Sequence, residues 1–223
     1  MARRKDQTAA RETIIQATLV AIRDRGIASL RMADIAAIAD VSTGTIHYYF
    51  GDFDTLLKEV HRLAAERFYA DRLAMMSALP DSRDRLCAMI TTGLPRTSQD
   101  ALVTALYRLA SHLGIRDDHA LLITALYDKQ VALYMGILDT GVAQGHFTLD
   151  APAVDVASNL VTLEDGYGLH IITANASLSY ERAVALIAGY ARTATGCGAL
   201  IPNTAEDAGV TGSYRETAAV KEQ

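Results

Sequence analysis

Residues 31–50, RMADIAAIADVSTGTIHYYF, decide how this chain is read. Ile35, Ala36 and Ala39 recur at helical spacing and predict a short helix over 32–39. Asp40-Val41-Ser42 then supplies a tight turn, and a second short helix starts at Thr43 and runs to about residue 48. Two short helices joined by three residues make a helix-turn-helix layout. Small Ala36 lets the second helix come close, and Val41 and Ile46 fill the gap between the two. The outward set of the second helix is Thr43, Thr45, His47, Tyr48 and Tyr49, with Gly44 among them and Ser42 at its start. Such groups reach base edges and phosphates in a major groove. On spacing alone, a surface helix of an ordinary bundle with a Tyr-Tyr-Phe packing cluster fits as well.

Outward from this segment the pattern stays helical. Upstream, Ile14, Ala17, Thr18, Ala21 and Ile22 form one face of a helix that Gly26 stops. Downstream, Asp52 is placed to cap a long helix with an apolar face of Leu56, Val60, Leu63, Ala64 and Phe68, closed by Pro80. Five further helices are predicted over 81–94, 99–113, 117–144, 151–175 and 179–196, punctuated by Pro95, Gly114, Gly145, Pro152 and Ser179. Strand signals are nearly absent. The expected fold is therefore all-α with about nine helices: a helix-turn-helix domain over 1–51, a helical domain over 52–201, and a disordered or loosely attached tail over 202–223.

The 223 residues are half hydrophobic, and mean hydropathy is +0.12. No uninterrupted apolar run approaches the roughly 20 residues of a spanning helix, and MARRKDQ opens no leader, so a cytoplasmic protein is expected. The net charge of −5 hides a polarity. Residues 1–50 hold seven bases against five acids, which leaves 14 bases and 21 acids for the rest. The positive end coincides with the helix-turn-helix. Cys87 and Cys197 belong to no metal-binding spacing, no histidine pair shares a helix face, and no nucleophile sits in a strained turn. No catalytic residue, metal site or cofactor is expected.

The run ADIAAIADVSTGTIHYYFGDFDTLL, residues 33–57, resembles the signature of the TetR family of bacterial regulators, which reads IA-x-x-A-G-V-S-x-G-T-[LI]-Y-x-[YH]-F-x-[SN]-K-x-x-L. Ile35, Ala36, Ala39, Val41, Ser42, Gly44, Thr45, Ile46, Tyr49, Phe50, Leu56 and Leu57 all stand where that pattern wants them. Residues 136–172, GILDTGVAQGHFTLDAPAVDVASNLVTLEDGYGLHII, are similar to the family segment that leads into a dimer-forming helix. Three positions depart from the signature. Asp40 replaces the turn glycine and His47 a tyrosine, while Phe53 replaces the lysine that opens the long helix. Arg31, in place of the usual capping threonine, and the arm Arg3-Arg4-Lys5 are expected to supply backbone contacts instead.

The resemblance implies a homodimeric, sequence-specific DNA-binding regulator, a repressor released from a palindromic operator by a small molecule. A helical adaptor with weakened DNA binding is the alternative, and an all-α enzyme a distant third. DNA-contacting residues are expected to be Arg31, Ser42, Thr43, Gly44, Thr45, His47, Tyr48 and Tyr49, with Arg3, Arg4 and Lys5. The last two helices are expected to pair between protomers through Ala157, Leu160, Val161, Leu169, Ile172, Val184, Ile187 and Ala191, some of which belong to the internal core. The effector pocket is assigned to Tyr107, His112, Tyr127, Tyr134, Met135, Glu164, Asp165 and Tyr167, a set suited to a cationic or aromatic ligand. Charge reversal at Glu164 should then alter the effector response alone.

Overall fold

The computed structural model describes residues 2–97, 100–113 and 117–204, with the side chains of 2–6, 113, 117 and 118 outside the description. Among the described residues it is all-helical: α1 (Ala2–Arg25), α2 (Met32–Ala39), α3 (Thr43–Phe50), α4 (Phe53–Ser77), α5 (Ser82–Gly93), α6 (Ala101–Leu113), α7 (Asp117–Ala143), α8 (Ala153–Ile172) and α9 (Tyr180–Thr195). The helix ends are set by local chemistry. Gly26, at φ +72°, closes α1, its N–H donating to the Ile22 carbonyl. Asp40 takes the left-handed conformation, φ 52° and ψ 47°, that the tight turn requires, a conformation aspartate visits more readily than most residues. Ser42, Asp52 and Ser179 each accept a backbone N–H at the start of α3, α4 and α9.

Two apolar cores share the long helix α4. The first gathers Ile14, Ile22, Ile35, Ile46 and Phe50 from α1, α2 and α3 around Leu56, Leu57, Val60 and Phe68 of α4, and extends to Val103, Leu106 and Leu109 of α6. Phe53 packs against it, which accounts for an aromatic ring where the resemblance expects a lysine. The second holds α5, α7, α8 and α9, with Tyr69, Met75 and Met76 from the far half of α4 packed on it. Helices α4 and α7 run parallel, since His61 meets His119 and Arg72 meets Gln130 at the same offset.

Two expectations fall outside the described residues and one is amended. The backbone of residues 2–5 continues α1, and the side chains of the arm Arg3-Arg4-Lys5 lie outside the described residues. Most of the tail, 205–223, lies outside them as well. A 25-residue stretch of α7, His119–Ala143, is long and apolar enough to cross a membrane by length and composition. Thr124, Asp128, Lys129 and Gln130 divide it into short apolar runs. In the fold this helix packs against α4, α5, α6 and α8.

Candidate nucleic-acid interface and buried polar seam

The surface of α3 follows from its caps and its period. Ser42 Oγ accepts from the Thr45 N–H at 3.0 Å and lies 2.9 Å from Thr45 Oγ1, so both hydroxyls are engaged in starting the helix. Ile46 and Phe50 are buried; one helical repeat between them leaves Thr43, Gly44, His47 and Tyr48 exposed, with Tyr48 at 71%. Thr45 and Tyr49 are only half-buried, which amends their reading as outward residues. Tyr49 packs against the first core and meets the Tyr48 ring edge-on, centroids 5.1 Å apart.

His47 has a defined task. Its Nδ1 lies 2.6 Å from the Gly51 carbonyl. A carbonyl only accepts, so Nδ1 carries the proton in this contact. At the start of α2, Arg31 is exposed and its backbone N–H donates to Asp34 at 2.9 Å. Asp34 also pairs with Arg25 at the end of α1.

Sequence reasoning passed over the bolt that fixes this head. Arg11, on α1, donates to the Tyr49 carbonyl at 3.0 Å and to Glu59 of α4 at 3.1 Å, with its guanidinium 4.6 Å from the centre of the Phe50 ring. These residues, with Lys58 and Arg62, line a groove of about 250 Å³. On the opposite flank Arg108 of α6 donates to the Ile22 and Arg23 carbonyls at the end of α1.

The residues assigned to an effector pocket separate into groups. Tyr107, Tyr134 and Glu164 meet in one buried network. The Tyr134 hydroxyl donates to the Glu164 carboxylate, and the Tyr107 hydroxyl donates to the Glu164 main-chain carbonyl at 3.2 Å. Tyr127, Met135 and Tyr167 are half-buried against the second core. His112 is exposed near the end of α6, away from the network. Asp165 is open to solvent and makes no hydrogen bond or ion pair to a cation among the described residues. Its carboxyl is nevertheless pushed up to about 6, first by protein crowding it and then by the charge of Glu164.

The centre of this seam is a residue that the sequence reading did not single out. Arg72 of α4 reaches Glu164 of α8 with both terminal nitrogens, at 2.9 and 3.0 Å, and also Gln130 at 2.6 Å and the Met89 carbonyl at 3.0 Å. Both charged side chains are 2% exposed. Burial drives the Glu164 carboxyl upward, against the opposing pull of Arg72. The expectation that charge reversal at Glu164 would touch effector response alone is therefore corrected, because a second cation there would face Arg72 in the interior. The signal was in the pattern: Arg72 continues the Ala64, Phe68 stripe of α4, and Glu164 the Ala157, Leu160, Val161 stripe of α8. A charge on a core stripe calls for an opposite charge on another.

A short capped helix exposing hydroxyl, imidazole and phenol groups, bolted to the helices behind it, defines a helix-turn-helix DNA-binding protein. Residues 14–60 match the profile of the family described as bacterial regulatory proteins, tetR family. The chain is 26% identical to the HTH-type transcriptional repressor KstR2 of Rhodococcus jostii over 61% of its own length and 66% of that protein's, a little under two thirds. It is 28% identical to the HTH-type transcriptional regulator BetI of Rhizobium meliloti over 81% of this chain and 86% of that one. Among solved structures, a transcriptional regulator from Saccharomonospora viridis in complex with choline shares the fold, with a TM-score of 0.75 and 23% identity over 82% of this chain and 95% of that one. Residues 14–60 therefore carry the DNA-binding domain of the tetR family, and the rest of the chain shares the fold of its solved relatives. The relatives it matches are named as transcriptional repressors and regulators.

Proposed function

We propose that the protein is a cytoplasmic homodimeric repressor that leaves a palindromic operator when a small molecule enters its helical domain. The observation that carries this reading is the course of α4. It begins beside the reading head, and about 28 Å further on, at 1.5 Å per residue, Arg72 enters the buried network with α7 and α8. A ligand that rearranges the network acts on the helix that positions the head. The similarity to proteins named repressor and regulator supports the reading.

In the proposed division of labour residues 1–51 read DNA and 52–201 take the effector and the second protomer. Thr43, Gly44, His47 and Tyr48 face base edges, and Ser42, Thr45 and Tyr49 hold the helix and its phosphate contacts. Arg31, with the arm Arg3-Arg4-Lys5, is assigned to the backbone. Tyr107, Tyr134, Glu164, Asp165 and Tyr167 form the effector site, flanked by Tyr127 and Met135. Dimerisation uses the outward faces of α8 and α9, where Val154, Leu169, Gly166 and Ala185 are exposed. Ala157, Leu160, Val161, Ile172, Val184, Ile187 and Ala191 are buried within the protomer and belong to its own core.

Binding of the purified protein to DNA upstream of its own gene tests the reading, measured by mobility shift across a salt series. A saturable shift that weakens steeply as salt rises is expected. The absence of any shift at low salt sinks the repressor reading and favours an adaptor.

A further inference from the structure

The surroundings of Arg72 have the composition of a cation receptor. The Glu164 carboxylate grips the guanidinium at two points, the Gln130 side-chain carbonyl accepts from it, and the Phe68 and Tyr134 ring centres lie 5.1 and 5.7 Å from its central carbon. The backbone makes room for this arrangement. A Cβ at Gly93 would stand 2.0 Å from Glu164 Oε1, and one at Gly168 would stand 2.0 Å from the Tyr107 hydroxyl. The occupant of the receptor is the protein's own side chain.

Its fit is incomplete. Arg72 Nε is buried without a hydrogen-bond partner, which is unfavourable for a charged group in the interior.

The geometry points to Arg72 as a built-in surrogate for the effector: a small organic monocation, such as a quaternary ammonium, amidinium or guanidinium, takes its place on Glu164 between the Phe68 and Tyr134 rings. This rests on the reading of the protein as an effector-released repressor. The charge class follows from what each ligand would leave behind. A cation exchanging for a cation keeps Glu164 paired while Arg72 moves towards water. An anion bound to Arg72 would strand the Glu164 charge in the interior, and a neutral ligand would break the pair without replacing either half. The exchange also cuts the charged tie between α4 and α8, which releases the helix that carries the head.

Calorimetric titration of the full chain tests the exchange with four probes. Choline and methylguanidinium carry the charge, tert-butylethanol has choline's shape without it, and tert-butylacetate has a related shape with a negative charge. The wild type should bind the two cations and neither of the others. Arg72→Met should bind cations about tenfold or more tightly, because the competing occupant is gone. Arg72→Lys, which keeps a charge and protects the fold, should show a smaller gain, and Glu164→Gln should bind none of the probes. Cation affinity unchanged or lost in Arg72→Lys and Arg72→Met overturns the surrogate. So does wild-type binding of tert-butylacetate that disappears in Arg72→Met, since Arg72 would then be an anion receptor. Mobility shifts without ligand run beside the titrations: a wild type that binds no operator defeats the repressor reading, whatever the probes do.

Discussion

The reading head and the seam between α4 and α8 both depend on polar side chains, in opposite settings. In the recognition helix of the head the capping and turn groups are satisfied within a few residues: Ser42 by Thr45, Asp52 by Thr55, His47 by Gly51. What remains faces outward and is available to another molecule. In the seam the partners come from four helices and lie up to 92 residues apart, with the charged pair at 2% exposure. Groups of the first kind can be altered one at a time, whereas groups of the second kind stand or fall together. The contrast separates the part of the protein built to meet a ligand openly from the part built to hold a state until something displaces it.

The largest effect is expected where that contrast is broken from the inside. Glu164→Gln leaves the Arg72 charge unmatched and should lower unfolding free energy by about 3–5 kcal/mol in urea denaturation. Replacing both partners with apolar residues, as in Arg72→Met with Glu164→Leu, should recover most of that loss, because neither charge is then stranded. Equal destabilisation in the single and double variants would mean that the seam is held by packing and not by charge.

On the head, Tyr48→Ala should leave the denaturation midpoint within error, because the ring is 71% exposed. Operator affinity should fall by about 1–3 kcal/mol, the range of a direct base or phosphate contact. A stability loss without an affinity loss would make Tyr48 a packing residue.

Much of the head was legible in the sequence, since its information is local. A helical period, a turn of three residues and caps at Ser42 and Asp52 are all adjacent along the chain, so Met32 to Ala39 and the stop at Gly26 are visible without tertiary knowledge. The half-burial of Thr45 and Tyr49 was less visible because α1 and the first core decide it from outside the motif. The seam was legible only in outline. Glu164 and Asp165 are neighbours in sequence, yet a helix turns about 100° between them, placing one in the core and the other at the surface. Arg72 and Gln130 lie in other helices, and nothing local pairs them with Glu164. Arg11 and Arg108 escaped notice for the same reason, because each acts on a backbone carbonyl far along the chain.

A third difference concerns pH. His61 and His119 are buried between α4 and α7 with ring nitrogens 2.6 Å apart, and the His61 pKa is depressed to about 4, first by burial and then by the neighbouring imidazole. The unfolded chain takes up this proton near 6.5 and the folded chain only near 4. Stability from this group is therefore complete above 6.5 and falls as pH drops towards 4, by up to about 1.4 kcal/mol per pH unit. Glu164 and Asp165 have raised values and act in the opposite sense, so the comparison is between wild type and His61→Asn, in which those groups are unchanged. The variant's stability should decline less across this window. Parallel declines would show that the pair does not govern acid sensitivity.

The smallest effects are those of the caps, and they test the comparison most directly. Ser42→Ala and Asp52→Ala each remove one acceptor from a helix start, which should cost about 1 kcal/mol in denaturation. The two caps serve different N–H groups and share no partner, so the double variant should equal the sum of the singles to within about 0.5 kcal/mol. The paired changes at Arg72 and Glu164 should miss their sum by several times that amount. Strong coupling between the caps would mean that the head is itself one cooperative network, so that an effector acting through α4 would have to unfold the reading surface in order to release DNA. Additive caps mean that the head moves as a preformed unit, and that control lies in where α4 holds it.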